Sequence, residues 1–306
     1  MKKKVLLQFC LLIISVCACA QATVIKYLSG IDKDHTVQWD FYCTGGQNSG
    51  KWTKIAVPSN WEQQGFGSYN YGLDKVKNNE QGMYKCRFNM DAGKLHGNVI
   101  LVFEGSMTDT EVKINGQSAG ATHQGSFYRF KYDITALLKP GENLLEATVS
   151  KTSANNSVNH AERNGDFWIF GGIYRPVYLQ ILPKTYINRV AIDAKGNGTF
   201  HMDVYSQNLT ANQIIEAQVQ TLGGVNVGKA FSVKTNEAAT KPGIIKDSDV
   251  VVELTSKFDS PLLWNAETPN LYQVVVSIKG QKGIIHKLVQ KLVSARLSYV
   301  KTTVFM

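Results

Sequence analysis

From Val99 onward, turn residues divide the chain into short apolar or alternating segments, and this rhythm constrains the fold more than any other feature. Val99 to Phe103 is an unbroken apolar run, as expected of a strand covered on both faces. Glu111 to Ile114 alternates up to the turn Asn115-Gly116, Phe127 to Tyr132 alternates again, Asn143 to Val149 follows the turn Pro140-Gly141, and Val177 to Ile181 closes the series. Helical periodicity is nearly absent between them. The segments predict an all-β, jelly-roll type β-sandwich ending at the linker Pro183-Lys184. A second set follows: Arg189 to Asp193, Thr199 to Ser206, Ile214 to Thr221, Ala230 to Lys234, Val250 to Leu254 and Leu271 to Ile278. Their number and spacing predict an immunoglobulin-like sandwich, without the Cys…Trp…Cys pattern of antibody domains. The expected organisation is a leader over 1–20, a jelly roll over 21–183, an immunoglobulin-like sandwich over 184–290 and a tail over 291–306. A TIM barrel, which takes about 250 residues, does not fit beside them.

The leader has three lysines, an apolar stretch from Val5 to Val16 and small residues around Ala18-Cys19-Ala20. This is the pattern of an export signal, and the stretch is too short to span a bilayer. Two processing routes fit: cleavage after Ala20, or lipidation of Cys19 in a loose lipobox. Both make the mature protein periplasmic or extracellular. Outside the leader only Cys43 and Cys86 remain, to be read either as one disulfide or as two separate thiols.

The formal charge of +9 includes Lys2, Lys3 and Lys4 of the leader, and the other basic residues are interspersed with acids. With no basic stripe, nucleic acid is excluded as a partner. The six histidines (His35, His96, His123, His160, His201, His286) have no paired metal-ligand spacing, no serine sits in a nucleophile elbow, and Gly171-Gly172 does not open a phosphate-binding helix. No metal and no cofactor are expected.

Two aromatic clusters point elsewhere. Trp52, Trp61, Phe66, Tyr69 and Tyr71 crowd one Gly-rich stretch; Phe167, Trp168 and Phe170 crowd another. Sugar rings stack their C–H faces on aromatic planes, while their hydroxyls need fixed carboxylate or amide partners. Asp166 and Asn70 are candidates for those partners. Trp52, Phe66 and Phe170 are expected in the core.

Several motifs, in order, carry a resemblance to a known family: Val57-Pro-Ser-Asn-Trp-Glu62, Gly82-Met-Tyr-Lys-Cys-Arg-Phe88, Val112 to Gly116, Phe130 to Ile134 with Gly141-Glu-Asn143, and Asp166-Phe-Trp168 through Gly172-Ile-Tyr-Arg175. They resemble the N-terminal, galactose-binding-like domain of glycoside hydrolase family 2, most of all its β-galactosidases. Pro261-Leu-Leu-Trp264 with Pro269-Asn-Leu-Tyr272 resembles the signature of that family's following immunoglobulin-like domain. The resemblance implies carbohydrate binding through Asp166 and Asn70, with Trp168 and Arg175 supporting the loop and the domain junction. It also implies that catalysis belongs to a barrel with a carboxylate pair that this chain lacks, so the chain alone is expected to be inactive. A domain or subunit partner is expected on the surface the barrel would cover. A free-standing carbohydrate-binding module is the competing expectation.

Family members continue through a segment like K-F-G-F-R-x-I-E. Adding one base to a reverse translation of Lys291 to Met306 converts it to K-F-G-F-R-T-I-E-L-R-K-N-D-G-I-Y. The tail is therefore expected to be out of frame from Leu292, and packing is expected to stop near Gln290.

Overall fold

The computed structural model describes residues 21–236, 240–242 and 250–294. The leader, with Cys19, and the end of the tail, 295–306, lie outside them. The described chain folds as two compact units, divided between Tyr186 and Ile187.

The first unit is a sandwich of two antiparallel sheets. In the larger, the strands run in the order Trp52–Val57, Val37–Cys43, Gln81–Met90, Gly141–Ser150, Asp109–Ile114 and Gln117–Ser118; in the smaller, Phe130–Asp133, Asn98–Phe103, Val177–Leu182 and Val24–Tyr27. Alternation sets which side chains meet. Leu145, Ala147 and Val149 point inward and pack with Val112, Ile114, Phe41 and Tyr84 against Val99, Leu101 and Phe103 of the other sheet. Ile100 and Val102 are also buried, in a small outer cluster with Tyr178, Leu182 and Tyr186. Cover on both faces is why this strand reads as an unbroken apolar run.

Asn115 and Gly116 take positive φ (52° and 81°), as a two-residue hairpin turn requires. The expected strand Phe127 to Tyr132 begins only at Phe130, and Phe127 and Tyr128 are exposed. The Tyr174 hydroxyl donates to the Ser126 carbonyl at 2.9 Å, and Arg175 Nη1 to that of Phe127 at 3.4 Å, so side chains occupy groups a ladder would use. The strands before Val99, among them Val24–Tyr27, Val37–Cys43, Trp52–Val57 and Gln81–Met90, and the short helix Asn156–Glu162, capped by Asn155, went unread in the sequence pattern.

In the second unit, Gly283–Leu292, Tyr272–Gly280, Ile214–Thr221 and Phe231–Lys234 lie side by side in one sheet, and Tyr186–Ala194, Thr199–Gln207, Val250–Lys257 and Thr240–Pro242 in the other. Val274, Val276 and Ile278 face Met202, Val204 and Leu254 across an aliphatic core. The Pro-Leu-Leu-Trp and Pro-Asn-Leu-Tyr segments form one structure: the Leu262 N–H donates to Tyr272 Oη at 2.8 Å, and Trp264 bridges to Pro269. The last strand continues past Gln290, with Leu292 opposite Tyr272 and packed against the core. Ser294 is buried, and its carbonyl accepts from Trp264 N–H at 2.8 Å. Packing therefore extends beyond the point expected, because Leu292 and Ser294 supply an apolar side chain and a hydrogen-bonded carbonyl that the sandwich uses.

Cys43 and Cys86 are free. Cys43 lies opposite Gly82 in the register, four residues along the strand from Cys86, a separation of roughly 13 Å at strand rise, which no disulfide spans. Two separate thiols is the reading that holds.

Candidate functional site

The two aromatic stretches meet in a two-stranded ribbon, Asn70–Tyr71 against Trp168–Ile169, with Trp168 opposite Tyr71 and Ile169 opposite Asn70. Glycines permit the approach. A Cβ on Gly72 would lie 2.3 Å from the Gly165 carbonyl oxygen, and one on Gly171 2.0 Å from the buried Trp61 ring. The ribbon is closed by Gly72 N–H donating to Phe167 O at 2.7 Å. Tyr71 N–H also donates to Asp74 Oδ2, at 2.7 Å.

Asp166 sits at the end of this ribbon with an exposed carboxylate that accepts from the Tyr71 hydroxyl. Asn70 is turned inward, 5% exposed, and its Oδ1 accepts from Asn78 N–H at 3.1 Å. The ribbon thus brings the two expected ligands together but presents them differently: Asp166 faces solvent, whereas the Asn70 carbonyl oxygen holds the following loop.

Trp168 is 55% exposed and Tyr69 50%. The indole is met edge-on by Tyr69 (centroids 6.0 Å apart, 87°) and Tyr71 (5.3 Å, 72°), and the Tyr69 hydroxyl donates to Glu62 O at 3.1 Å. Rings braced this way offer a flat apolar surface at low entropic cost. Trp168 therefore belongs to the exposed surface as well as to its support. Arg175 has Nη1 3.4 Å from the carbonyls of Glu104 and Phe127 and its guanidinium over the Tyr174 ring. Phe66 packs against the core as expected, and Phe170 is partly buried beside Tyr69. Trp52 corrects the expectation: it is 49% exposed on an outer face, with Lys85 Nζ 4.8 Å from its ring centroid.

Beneath the ribbon lies a buried ionic group of which only Glu62, at the end of the Val57 to Glu62 motif, falls in a sequence motif. Lys151, at the end of the strand Gly141–Ser150, is fully buried; its Nζ pairs with Glu62 Oε1 at 2.8 Å, donates to the Ser68 carbonyl, and lies 3.8 Å from Glu80 Oε2. Glu62 in turn accepts from Gly171 N–H at 3.0 and 3.1 Å. Burial pushes the Glu62 carboxyl above its usual range, against the pull of Lys151 and the Gly171 N–H. Nearby, Arg163 is 3% exposed, and burial lowers its guanidinium to about 10. The Arg163 carbonyl accepts from Lys77 Nζ at 2.9 Å. The two family-like motifs are joined directly as well, by Ser59 N–H to Ile173 O (2.9 Å) and Trp61 N–H to Gly171 O (3.1 Å).

In the second unit, His201, Asp203 and Glu253 gather their ligand atoms within 4.8 Å. Each imidazole nitrogen faces a different carboxylate, at 3.2 and 3.3 Å, the arrangement of a ring clasped between two acids.

Residues 43–183 match the family model of the glycosyl hydrolases family 2 sugar binding domain, and residues 185–292 match that of glycosyl hydrolases family 2. The chain belongs to glycoside hydrolase family 2. It is 27% identical over 251 residues to a β-galactosidase of Priestia megaterium, a match covering 77% of this chain and 24% of the relative. With a β-galactosidase of Clostridium acetobutylicum the identity is 27% over 256 residues, covering 78% and 27%. The chain thus spans about a quarter of the length of these curated relatives. The crystal structure of Bacteroides uniformis β-glucuronidase shares the fold, with a TM-score of 0.66 at 18% identity over 89% of this chain and 32% of that one. In this family 2 chain the Val57 to Glu62 and Asp166 to Arg175 motifs are thus the two halves of one hydrogen-bonded structure.

Proposed function

We propose that this chain supplies the sugar-recognition part of a β-glycosidase, and that alone it binds a β-linked sugar weakly without cleaving it. The observation that carries this reading is the exposed Trp168, braced by Tyr69 and Tyr71, with the Asp166 carboxylate fixed beside it by the Tyr71 hydroxyl. A ring face for sugar C–H groups next to an acceptor for hydroxyls is what a monosaccharide subsite needs. The matches to β-galactosidases make galactose the first ligand to test. One open wall buries little of a sugar, so affinity should be millimolar.

Cleavage with retention takes two carboxyls about 5 Å apart across the glycosidic bond. Among the described residues, Glu62 and Glu80 are buried around Lys151, out of a sugar's reach. Hydrolysis, and the partner domain or subunit that would complete the pocket, belong in this reading to the barrel of the family. The export-signal pattern over 1–20 supports a site that works outside the cytoplasm.

Calorimetry with galactose and short β-galactosides tests the reading. Millimolar binding lost in Asp166→Ala, without turnover of aryl β-galactosides, is the expected result. Binding unchanged by Asp166→Ala would overturn the assignment of the site. A low-micromolar constant abolished by that substitution would favour a free-standing carbohydrate-binding module.

A further inference from the structure

We propose that Lys151 is the positioning residue of the sugar site, a single buried ammonium that sets both strands of the ribbon carrying Asp166 and Trp168. The inference rests on the reading of that ribbon as the sugar site. It starts from where Lys151 is anchored. Lys151 follows directly on Gly141–Ser150, a strand paired on both sides in the middle of the larger sheet, and its own N–H donates to Glu80 O at 3.0 Å. Its backbone is therefore tied to a strand held on both sides.

From that fixed point the side chain reaches the ribbon by two routes. Nζ donates to the carbonyl of Ser68, two residues before Asn70, and so sets the entry to the first ribbon strand. Nζ also pairs with Glu62 at 2.8 Å, whose carboxylate takes the N–H of Gly171, two residues after Ile169, and so sets the exit from the second. The charged groups involved are removed from solvent: Lys151 is 0% exposed, Glu62 2% and the neighbouring Glu80 4%. Glu80 makes no hydrogen bond through either carboxylate oxygen and is held by charge alone.

A buried pair of this kind contributes little net stability compared with an apolar replacement, but losing one member leaves the others uncompensated. Its retention is understandable if the arrangement fixes geometry. The ribbon has only two residues per strand, too few to hold its own register. An external clamp does that here.

The test is amide hydrogen exchange on the whole chain together with calorimetric titration of galactose. In Lys151→Met, the Gly72 and Gly171 amides should exchange at least about tenfold faster while Leu145 and Val149 in the sheet keep native rates, and galactose affinity should fall at least about tenfold. If that variant loses protection in the sheet as well, the triple variant Lys151→Met, Glu62→Gln, Glu80→Gln removes all three charges of the cluster; it should keep the sheet and still show the faster Gly72 exchange. Native loop exchange in whichever Lys151 variant keeps its sheet would overturn the proposal. So would faster loop exchange with galactose affinity unchanged. If the unmodified chain binds no galactose, the reading of the site fails, and the exchange rates alone still decide whether Lys151 holds the ribbon.

Discussion

The two sandwiches of this chain are built by the same alternation of strand residues but fill their interiors differently. The first encloses Trp39, Phe41, Trp61 and Tyr84, and with them the charged groups Lys151, Glu62, Glu80, Asp109 and Arg163. The second encloses mainly Val, Ile, Leu and Met, and among its described residues no lysine, arginine or carboxylate is buried. Charged groups are expensive to bury, so a fold needing only stability would resemble the second. The contrast supports the proposed place of the site: the first sandwich buries charge beside its irregular loops, and the second is a plain packed layer.

Trp61→Ala should break the comparison most severely. The ring is fully buried between Phe41 and Gly171, and its removal should destabilise the first sandwich by about 4 kcal/mol. Denaturant unfolding should show one transition displaced and that of the second sandwich unmoved. If both move together, the sandwiches do not unfold as separate units.

Acid should act on the second sandwich. His286 is fully buried, accepts from Ile187 N–H at 3.1 Å, and is lowered by burial from 6.5 to about 4. Its folded value lies below its unfolded one, so the neutral ring's contribution is complete above pH 6.5 and is lost as pH falls toward 4. The loss should be about 3 kcal/mol for that sandwich, read from the pH dependence of its unfolding midpoint and much reduced in His286→Gln. Burial also lowers His123 in the first sandwich, giving a smaller loss of the same sign there. A second sandwich indifferent to pH over this window would show that His286 does not titrate as its burial requires.

Trp168→Ala should have the smallest effect on stability and the most selective one on function. At 55% exposure its loss should change unfolding of the first sandwich by less than about 0.5 kcal/mol. Galactose binding should weaken by about 1 kcal/mol in the same calorimetric titration. A stability loss several times larger would make Trp168 structural and remove the ring from the site.

The fold was legible wherever one strand declares its own environment. Val99 to Phe103 reads as buried because both faces are covered, and Asn115-Gly116 reads as a turn because both residues take positive φ. Phe127 and Tyr128 misled, since the alternation of an exposed loop continues into a real strand at Phe130. Trp52 misled for another reason: its ring covers an outer face beside Tyr42 and Lys85, which composition cannot distinguish from the interior. In the site, Asp166 and Trp168 stood out through one local motif. Lys151 and Glu80 carried no signal and Glu62 showed only as the end of the Val57 to Glu62 motif, because charged residues ordinarily face water and the three are separated in the chain.

The ribbon that presents Asp166 joins segments about a hundred residues apart, with Tyr71 opposite Trp168. Closing so long a loop for two residue pairs is entropically unfavourable until the strands between them have already assembled. The proposed binding surface is consequently among the last parts of the first sandwich to form. During synthesis it cannot exist until the Gly171-Gly172 segment has left the ribosome, so capture of sugar by a nascent chain would mark the moment at which that sandwich completes itself.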